Sequence, residues 1–125
     1  MDEDLNWDDY PNFSREEFEC PCGCGRADMT HEFMVAIQSF REEVDAPMVI
    51  TSGFRCEEHN KKVGGAPGSA HVKGQGADWA KPNAPSDKLD ELHLKYFSGR
   101  GKRFHGTNQY MHGDVMTRRA SWTYA

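Results

Sequence analysis

Hydrophobic residues recur at helical spacing in two parts of the chain, and each part is predicted to form a helix. Thr30 is a favourable N-cap residue, and the apolar positions after it fall on one helical face; they are Phe33, Ile37, Phe40 and Val44. A later helix is predicted to begin at Ser86, with apolar positions at Leu89, Leu92, Leu94 and Phe97. Two short helices are also predicted. A capping box at residues 14–17 opens one that ends near Cys20, and residues 56–64 form the other.

Short stretches between these helices are predicted to be strands: residues 48–54, 76–80 and 109–116, with the ASWTYA segment at 120–125 completing the sheet. Residues 64–76 hold five glycines and a proline, so they are predicted to be a loop. Helices that are separate from a few short strands indicate an α+β fold with a small antiparallel sheet.

A chain of 125 residues is long enough for one modest hydrophobic core. We find no repeat or linker, so the prediction is a single domain over residues 1–125, in which residues 1–13 are an irregular lead-in. We expect a monomer.

Composition and charge exclude several classes of partner. The net charge is −5, and the basic residues form only short, scattered groups, so a nucleic-acid partner is not expected; these groups are Lys61–Lys62, Arg100–Lys102–Arg103 and Arg118–Arg119. No apolar run approaches the roughly 20 residues of a membrane helix, so membrane insertion is not expected either. The N-terminus is acidic where a secretory signal is basic and then apolar, so we expect no signal peptide.

Four cysteines leave three interpretations open. Cys20, Cys22 and Cys24 are too close in sequence to bridge one another easily, yet each could pair with Cys56. The thiolates could instead hold a structural metal ion, because sulfur ligands favour zinc. Free thiols are the third interpretation.

Three other residues have the right chemistry for a catalytic metal. Zinc hydrolases use three protein ligands and keep one position open. His71 and Asp78 flank a turn that contains Gly74 and Gly76, which allows the two side chains to converge. His112 lies on a later predicted strand that could direct it to the same point. The remaining histidines that we considered are interpreted as ordinary surface residues; they are His31, His59 and His93.

The segment SGFRCEEHNKKVGGAPGSAHVKGQGADWA (52–80) resembles the signature of peptidase family M15, the D-alanyl-D-alanine carboxypeptidases and phage endolysin peptidases. The family pattern Ser-x-His-x-x-Gly-x-Ala-x-Asp is matched by Ser69, His71, Gly74 and Asp78. The pattern has alanine at the position of Gly76, and here the alanine is the next residue, Ala77.

Two further elements extend the resemblance over roughly residues 14–122. The family's Ser-Gly-Tyr-Arg element appears as residues 52–55, with phenylalanine in place of tyrosine. Its closing His-x-Asp element appears as residues 112–114, and Arg118, Arg119 and Trp122 follow in a similar arrangement.

The resemblance implies a fold of the hedgehog and D-Ala-D-Ala-peptidase type, and it implies a role for each matched residue. His71, Asp78 and His112 would bind one catalytic Zn²⁺. Arg55 would polarise the scissile carbonyl or bind a substrate carboxylate; the alternative is an ion pair with Glu57 or Glu58. Ser69 would orient a ligand or contact substrate, and the alternative is a hydroxyl that caps the loop.

The general base is less clear from the resemblance. Several relatives have a glutamate or aspartate three residues before the last histidine ligand, where this chain has Gln109. An amide does not accept a proton, so Asp114 is predicted to be the base, because it shares a strand face with His112. The alternative role for Asp114 is to orient a zinc-binding histidine.

The predicted function is therefore a zinc-dependent peptidase that cuts a peptidoglycan peptide, as a phage endolysin made in the host cytoplasm and released to the periplasm or cell wall at lysis. Two alternatives stay open: a bacterial carboxypeptidase that remodels the wall, and a zinc-bearing module that binds the wall without turnover. The bond that is cut is not predicted.

Overall fold

The computed structural model describes residues 5–117 and 120–124, and within them the chain combines helices with one mixed sheet. The α-helices are α1 (His31–Val44), α2 (Glu57–Lys62) and α3 (Ser86–Tyr96). The strands are β1 (Ile50–Ser52), β2 (Gly76–Ala80), β3 (Gly99–Arg103), β4 (Tyr110–Asp114) and β5 (Ala120–Thr123). Two 3-10 helices, Trp7–Asp9 and Arg15–Phe18, precede α1. The α+β prediction is confirmed.

The strands lie in the order β1-β2-β4-β3-β5. All neighbours are antiparallel except β3 and β5, which pair in parallel, so the prediction of a purely antiparallel sheet was wrong at this edge. β3 was not predicted at all, because its sequence GRGKR has no apolar residue. The strand predicted at 48–54 is reduced to the three residues of β1, which lies at the opposite edge.

The hydrophobic core lies between α1, α3 and one face of the sheet. Phe40 of α1 contacts Trp79 of β2 with ring centroids 5.4 Å apart, and Phe97 lies 5.5 Å from both rings. Thr30 caps α1 as predicted, because its Oγ1 accepts a hydrogen bond from the backbone N–H of Phe33. Since side chains alternate along a strand, the residues next to Trp79 point away from the helices. This second face of the sheet carries the candidate site.

Three details of the predicted burial need correction. His93 of α3 is only 3% exposed, although it was interpreted as a surface histidine, and Leu94 is 55% exposed although it was assigned to the apolar face. Within the predicted irregular lead-in, the described residues 5–13 include a 3-10 helix and place Tyr10 and Phe13 in the core. No helix in the described part of the chain is long and apolar enough to cross a membrane.

Candidate metal centre

Two central strands bring the first two candidate ligands together. Asp78 of β2 and His112 of β4 are direct partners in the antiparallel register, so their side chains leave the sheet side by side. The Asp78 Oδ1 atom lies 2.7 Å from His112 Nδ1.

His71 reaches the same point from the turns that precede β2. Its Nδ1 lies 2.8 Å from the backbone oxygen of Gly53. A carbonyl oxygen only accepts hydrogen bonds, so Nδ1 carries the proton and Nε2 presents its lone pair. That Nε2 atom is 3.5 Å from Asp78 Oδ1. The structure therefore brings the three predicted ligands together, with His71 directed by a backbone carbonyl.

Asp114 lies on the far side of the His112 ring. Its Oδ2 is 2.9 Å from His112 Nε2, and its Oδ1 accepts a hydrogen bond from the backbone N–H of Met116 at 3.2 Å. The residue is completely buried. This carboxylate favours the tautomer with a proton on Nε2, which leaves Nδ1 available on the Asp78 side.

The charges of the site are strongly coupled. Burial alone would raise the pKa of Asp78, but hydrogen bonds from His112 and His71 outweigh it and hold that pKa far below its usual value. Burial opposes a charge on His112, yet its bonds to Asp114 and Asp78 raise the His112 pKa to about 8. The pair of carboxylates thus favours positive charge at the His112 Nδ1 position, whether it comes from a proton or from a metal ion.

The donor set fits zinc. One ligand atom from each of His71, Asp78 and His112 lies within 4.8 Å of the other two. Ligand atoms at about 2.05 Å from a tetrahedral Zn²⁺ would be about 3.3 Å apart. In the structure, Asp78 Oδ1 is 2.7 Å from His112 Nδ1 and 3.5 Å from His71 Nε2. Two imidazole nitrogens and one carboxylate oxygen are typical zinc ligands that leave a fourth position for chemistry.

An open cleft of about 420 Å³ lies over these three residues. Arg55 and Ser69 line one part of it, and Trp122 and Tyr124 line another. The Trp122 ring lies against His112, with centroids 5.4 Å apart. Substrate could therefore reach the fourth position from solvent.

Arg55 contributes a cation that has no carboxylate partner among the described residues. Its Nη1 donates to Asn60 Oδ1 at 2.9 Å, and its Nε donates to Ser52 Oγ at 3.4 Å. These neutral partners orient the guanidinium group without neutralising it. The alternative for Arg55 was an ion pair with Glu57 or Glu58, and the described residues do not form it.

Comparison with protein families agrees with the site. The chain matches the Peptidase M15 family over residues 11–114, which is most of its length. It belongs to the M15 peptidases. Members of this family are zinc-dependent metallopeptidases, in agreement with the chemistry of the three ligands. Comparison with curated proteins gives no match.

The departure from the M15 pattern at Gly76 has a local explanation. A Cβ atom at this position would lie 2.7 Å from the Ala70 Cβ and 3.0 Å from the Asp114 Cβ. The methyl group of Ala70 thus occupies the space that an alanine at position 76 would need.

Ser69 has features of both roles that were considered for it. Its hydroxyl accepts a hydrogen bond from the backbone N–H of His71 at 3.2 Å, as a loop-capping residue does, and it also lines the cleft.

Gln109, at the position where the resemblance led us to look for a carboxylate, directs its side chain away from the candidate metal centre. Its Nε2 donates to the backbone oxygen of Gly106 at 2.9 Å, and it does not line the cleft.

Sequence reasoning missed two residues near the site, His93 and Tyr124. His93 donates from Nε2 to the backbone oxygen of His112 at 2.7 Å, from the helix side of the sheet. Tyr124 could have been found from strand alternation, because it shares a face with Trp122. Arg118 and Arg119, which the resemblance included, lie outside the described residues.

Proposed function

We propose that the protein is a zinc-dependent peptidase that hydrolyses a peptide bond of bacterial peptidoglycan. The observation that carries the proposal is the convergence of His71, Asp78 and His112 below an open cleft in a chain of the M15 family. Peptidoglycan as the substrate follows from the family resemblance.

The protein residues divide the work as follows. His71 Nε2, Asp78 Oδ1 and His112 Nδ1 would hold the zinc ion. When bound, zinc supplies Lewis-acid chemistry for amide hydrolysis. The guanidinium group of Arg55 binds an anionic or polarised oxygen of the substrate, because its present partners leave its charge uncompensated. Peptidoglycan stem peptides carry free carboxylates that suit this cation.

Asp114 was predicted to be the general base, with orientation of a histidine as the alternative. Its position favours the alternative. The carboxylate contacts the ring nitrogen that points away from the other ligands, and its side chain is completely buried, even though Asp114 is among the residues around the cleft. In this proposal Asp114 is a positioning residue that acts through His112.

The proposed biological role is that of a phage endolysin. Such an enzyme would accumulate in the host cytoplasm and reach the wall when the inner membrane is breached at lysis. The small catalytic domain and the family support this role, and wall remodelling by a bacterial carboxypeptidase is the competing one.

Incubation of the purified protein with bacterial sacculi tests the proposal directly. We expect soluble peptide fragments with new amino termini, whose identification by mass spectrometry names the bond that is cut. The His112→Ala variant is the control and should release none. Release of terminal D-alanine alone would instead identify a carboxypeptidase. Sedimentation of the protein with sacculi without any released product would identify a binding module and refute the enzymatic proposal.

A further inference from the structure

The four cysteines converge at a second place in the molecule, away from the His/Asp site. Cys20, Cys22, Cys24 and Cys56, which we term the cysteine cluster, have Sγ atoms that all lie within 4.8 Å of one another. The Sγ–Sγ distances are 3.4 Å from Cys20 to Cys22 and 3.7 Å from Cys56 to each of these two. We propose that the cysteine cluster binds a second, structural zinc ion through four thiolates.

The sulfur–sulfur distances separate the interpretations that the sequence leaves open. A disulfide would bring one pair of sulfurs to about 2.05 Å, whereas the described pairs are 3.4 to 3.7 Å apart and all four cysteines are free. Four sulfurs at about 2.3 Å from a tetrahedral Zn²⁺ would be about 3.8 Å apart. The cluster therefore has nearly the edge lengths of a zinc tetrathiolate site.

The backbone of residues 20–26 is shaped to direct three thiols inward. Gly23, between Cys22 and Cys24, and Gly25, directly after Cys24, have positive φ angles of 88° and 82°, a left-handed conformation that glycine adopts readily. The loop is closed by a hydrogen bond of 2.8 Å from the Cys20 N–H to the Arg26 oxygen. Alternation of cysteine with residues that turn the chain is what lets a C-x-C-x-C segment provide three ligands to one ion.

Backbone N–H groups point at two of the sulfurs. The N–H of Cys56 donates to Cys20 Sγ, and the N–H of His59 donates to Cys56 Sγ, each at 3.4 Å. Such bonds stabilise negative charge on sulfur, and N–H groups that donate to a ligand sulfur support its binding to a metal as a thiolate. Cys20 and Cys56 are buried, whereas Cys22 and Cys24 are exposed, so an ion has a path of entry from solvent.

Four protein ligands leave no open position, so this ion would be structural. It would connect the loop that follows the Arg15–Phe18 helix to the segment before α2, across a separation of 36 residues between Cys20 and Cys56. Arg55 is the residue next to Cys56, so the site would also fix one wall of the cleft. The inference is independent of the substrate of the enzyme.

Metal analysis of the full chain, prepared in medium with zinc, tests the proposal. We expect two zinc ions per chain in the wild type and one in His112→Ala. Cys22→Ser and Cys24→Ser change exposed residues, and each should lower the content to the single His/Asp-site ion. In the cobalt-substituted protein we expect strong thiolate-to-cobalt charge-transfer absorption that persists in His112→Ala and disappears in Cys22→Ser.

Three results would overturn the proposal. The first is one zinc ion in the wild type that His112→Ala removes entirely. The second is an intact mass that is lower by two hydrogens, which shows a disulfide. The third is a native protein in which all four thiols react with a thiol reagent without release of metal. If the serine variants do not fold, the zinc content and cobalt spectrum of the wild type decide.

Discussion

The Asp114→Asn substitution tests how the buried carboxylate controls the metal centre. In the wild type, the two oxygens of Asp114 face two donors, the Nε2–H of His112 and the N–H of Met116. An asparagine has one oxygen and one NH₂ group, so one of these donors loses its acceptor. If the NH₂ group faces His112, it favours a proton on Nδ1, where the lone pair is needed for zinc.

The expected magnitude follows from the lost hydrogen bond. A hydrogen bond to a charged group contributes about 1.5–3 kcal/mol, and each 1.4 kcal/mol corresponds to about a tenfold change in binding. We therefore expect the dissociation constant for zinc at the His/Asp site to rise about ten- to a hundredfold. Turnover at saturating zinc should return close to the wild-type value, because no reacting group has been removed.

Competition with a chromophoric chelator measures the zinc affinity, and His112→Ala measured in parallel accounts for zinc held by the cysteine cluster. Asp90→Asn is the matched control, since Asp90 is an exposed carboxylate paired with Lys102; its zinc affinity should equal the wild type. If Asp114 is instead the general base, zinc affinity stays constant, turnover falls by about two to four powers of ten and the acid limb of the pH–rate profile disappears. Wild-type affinity together with wild-type turnover would refute both roles.

Three other predictions follow from the structure. Arg55→Lys keeps the charge but loses the planar guanidinium group, so turnover should fall with zinc content unchanged; wild-type kinetics would make Arg55 a purely structural residue. Burial lowers the pKa of His93 to about 4, so the folded protein keeps it neutral while the unfolded chain takes up a proton below about pH 6.5, and stability falls as the pH is lowered. Between pH 7 and pH 5, denaturant titration should show that the wild type loses about 2 kcal/mol more unfolding free energy than His93→Gln; equal losses would contradict the assignment. Gln109→Glu should not rescue Asp114→Asn, because residue 109 is directed to Gly106 and not into the cleft; rescue in a peptidase assay would show that Asp114 transfers the proton.

The helices illustrate how far periodicity predicts the fold. α1 begins and ends close to the predicted residues, because a cap and a long apolar face agree with one another. Leu89 and His93 of α3 and Phe97, the residue directly after the helix, are four positions apart and share a face. His93 is therefore buried with Leu89 and Phe97, while Leu94 turns to solvent. The prediction from hydrophobicity had placed Leu94 on the buried face and His93 on the surface, which is the opposite.

The strands show what local sequence does not contain. β3 has glycines and basic residues and no apolar alternation, and it is a strand because β4 and β5 pair with its two edges. The same dependence on distant neighbours applies to the site. Family resemblance picked out His71, Asp78 and His112, but the role of Asp114 depends on which nitrogen of His112 it meets. The orientation of the His112 ring determines that, since the ring lies between Asp78 on the neighbouring strand and Asp114 on its own strand.

The segment of residues 53–56 links the two proposed metal sites. The oxygen of Gly53 holds Nδ1 of His71, and the backbone N–H of Arg55 donates to the oxygen of the same histidine at 3.2 Å. At its other end, Cys56 contacts Cys20 within the cysteine cluster. A displacement of this short segment would therefore move the proposed zinc ligand His71 and the guanidinium group that is proposed to bind substrate together. An ion in the cysteine cluster would restrain that displacement. It would attach the segment, which follows α1 in the sequence, to the loop of residues 20–26, which precedes α1. The proposed structural zinc would thus be coupled to the proposed catalytic site through this segment, although it would touch neither substrate nor catalytic metal.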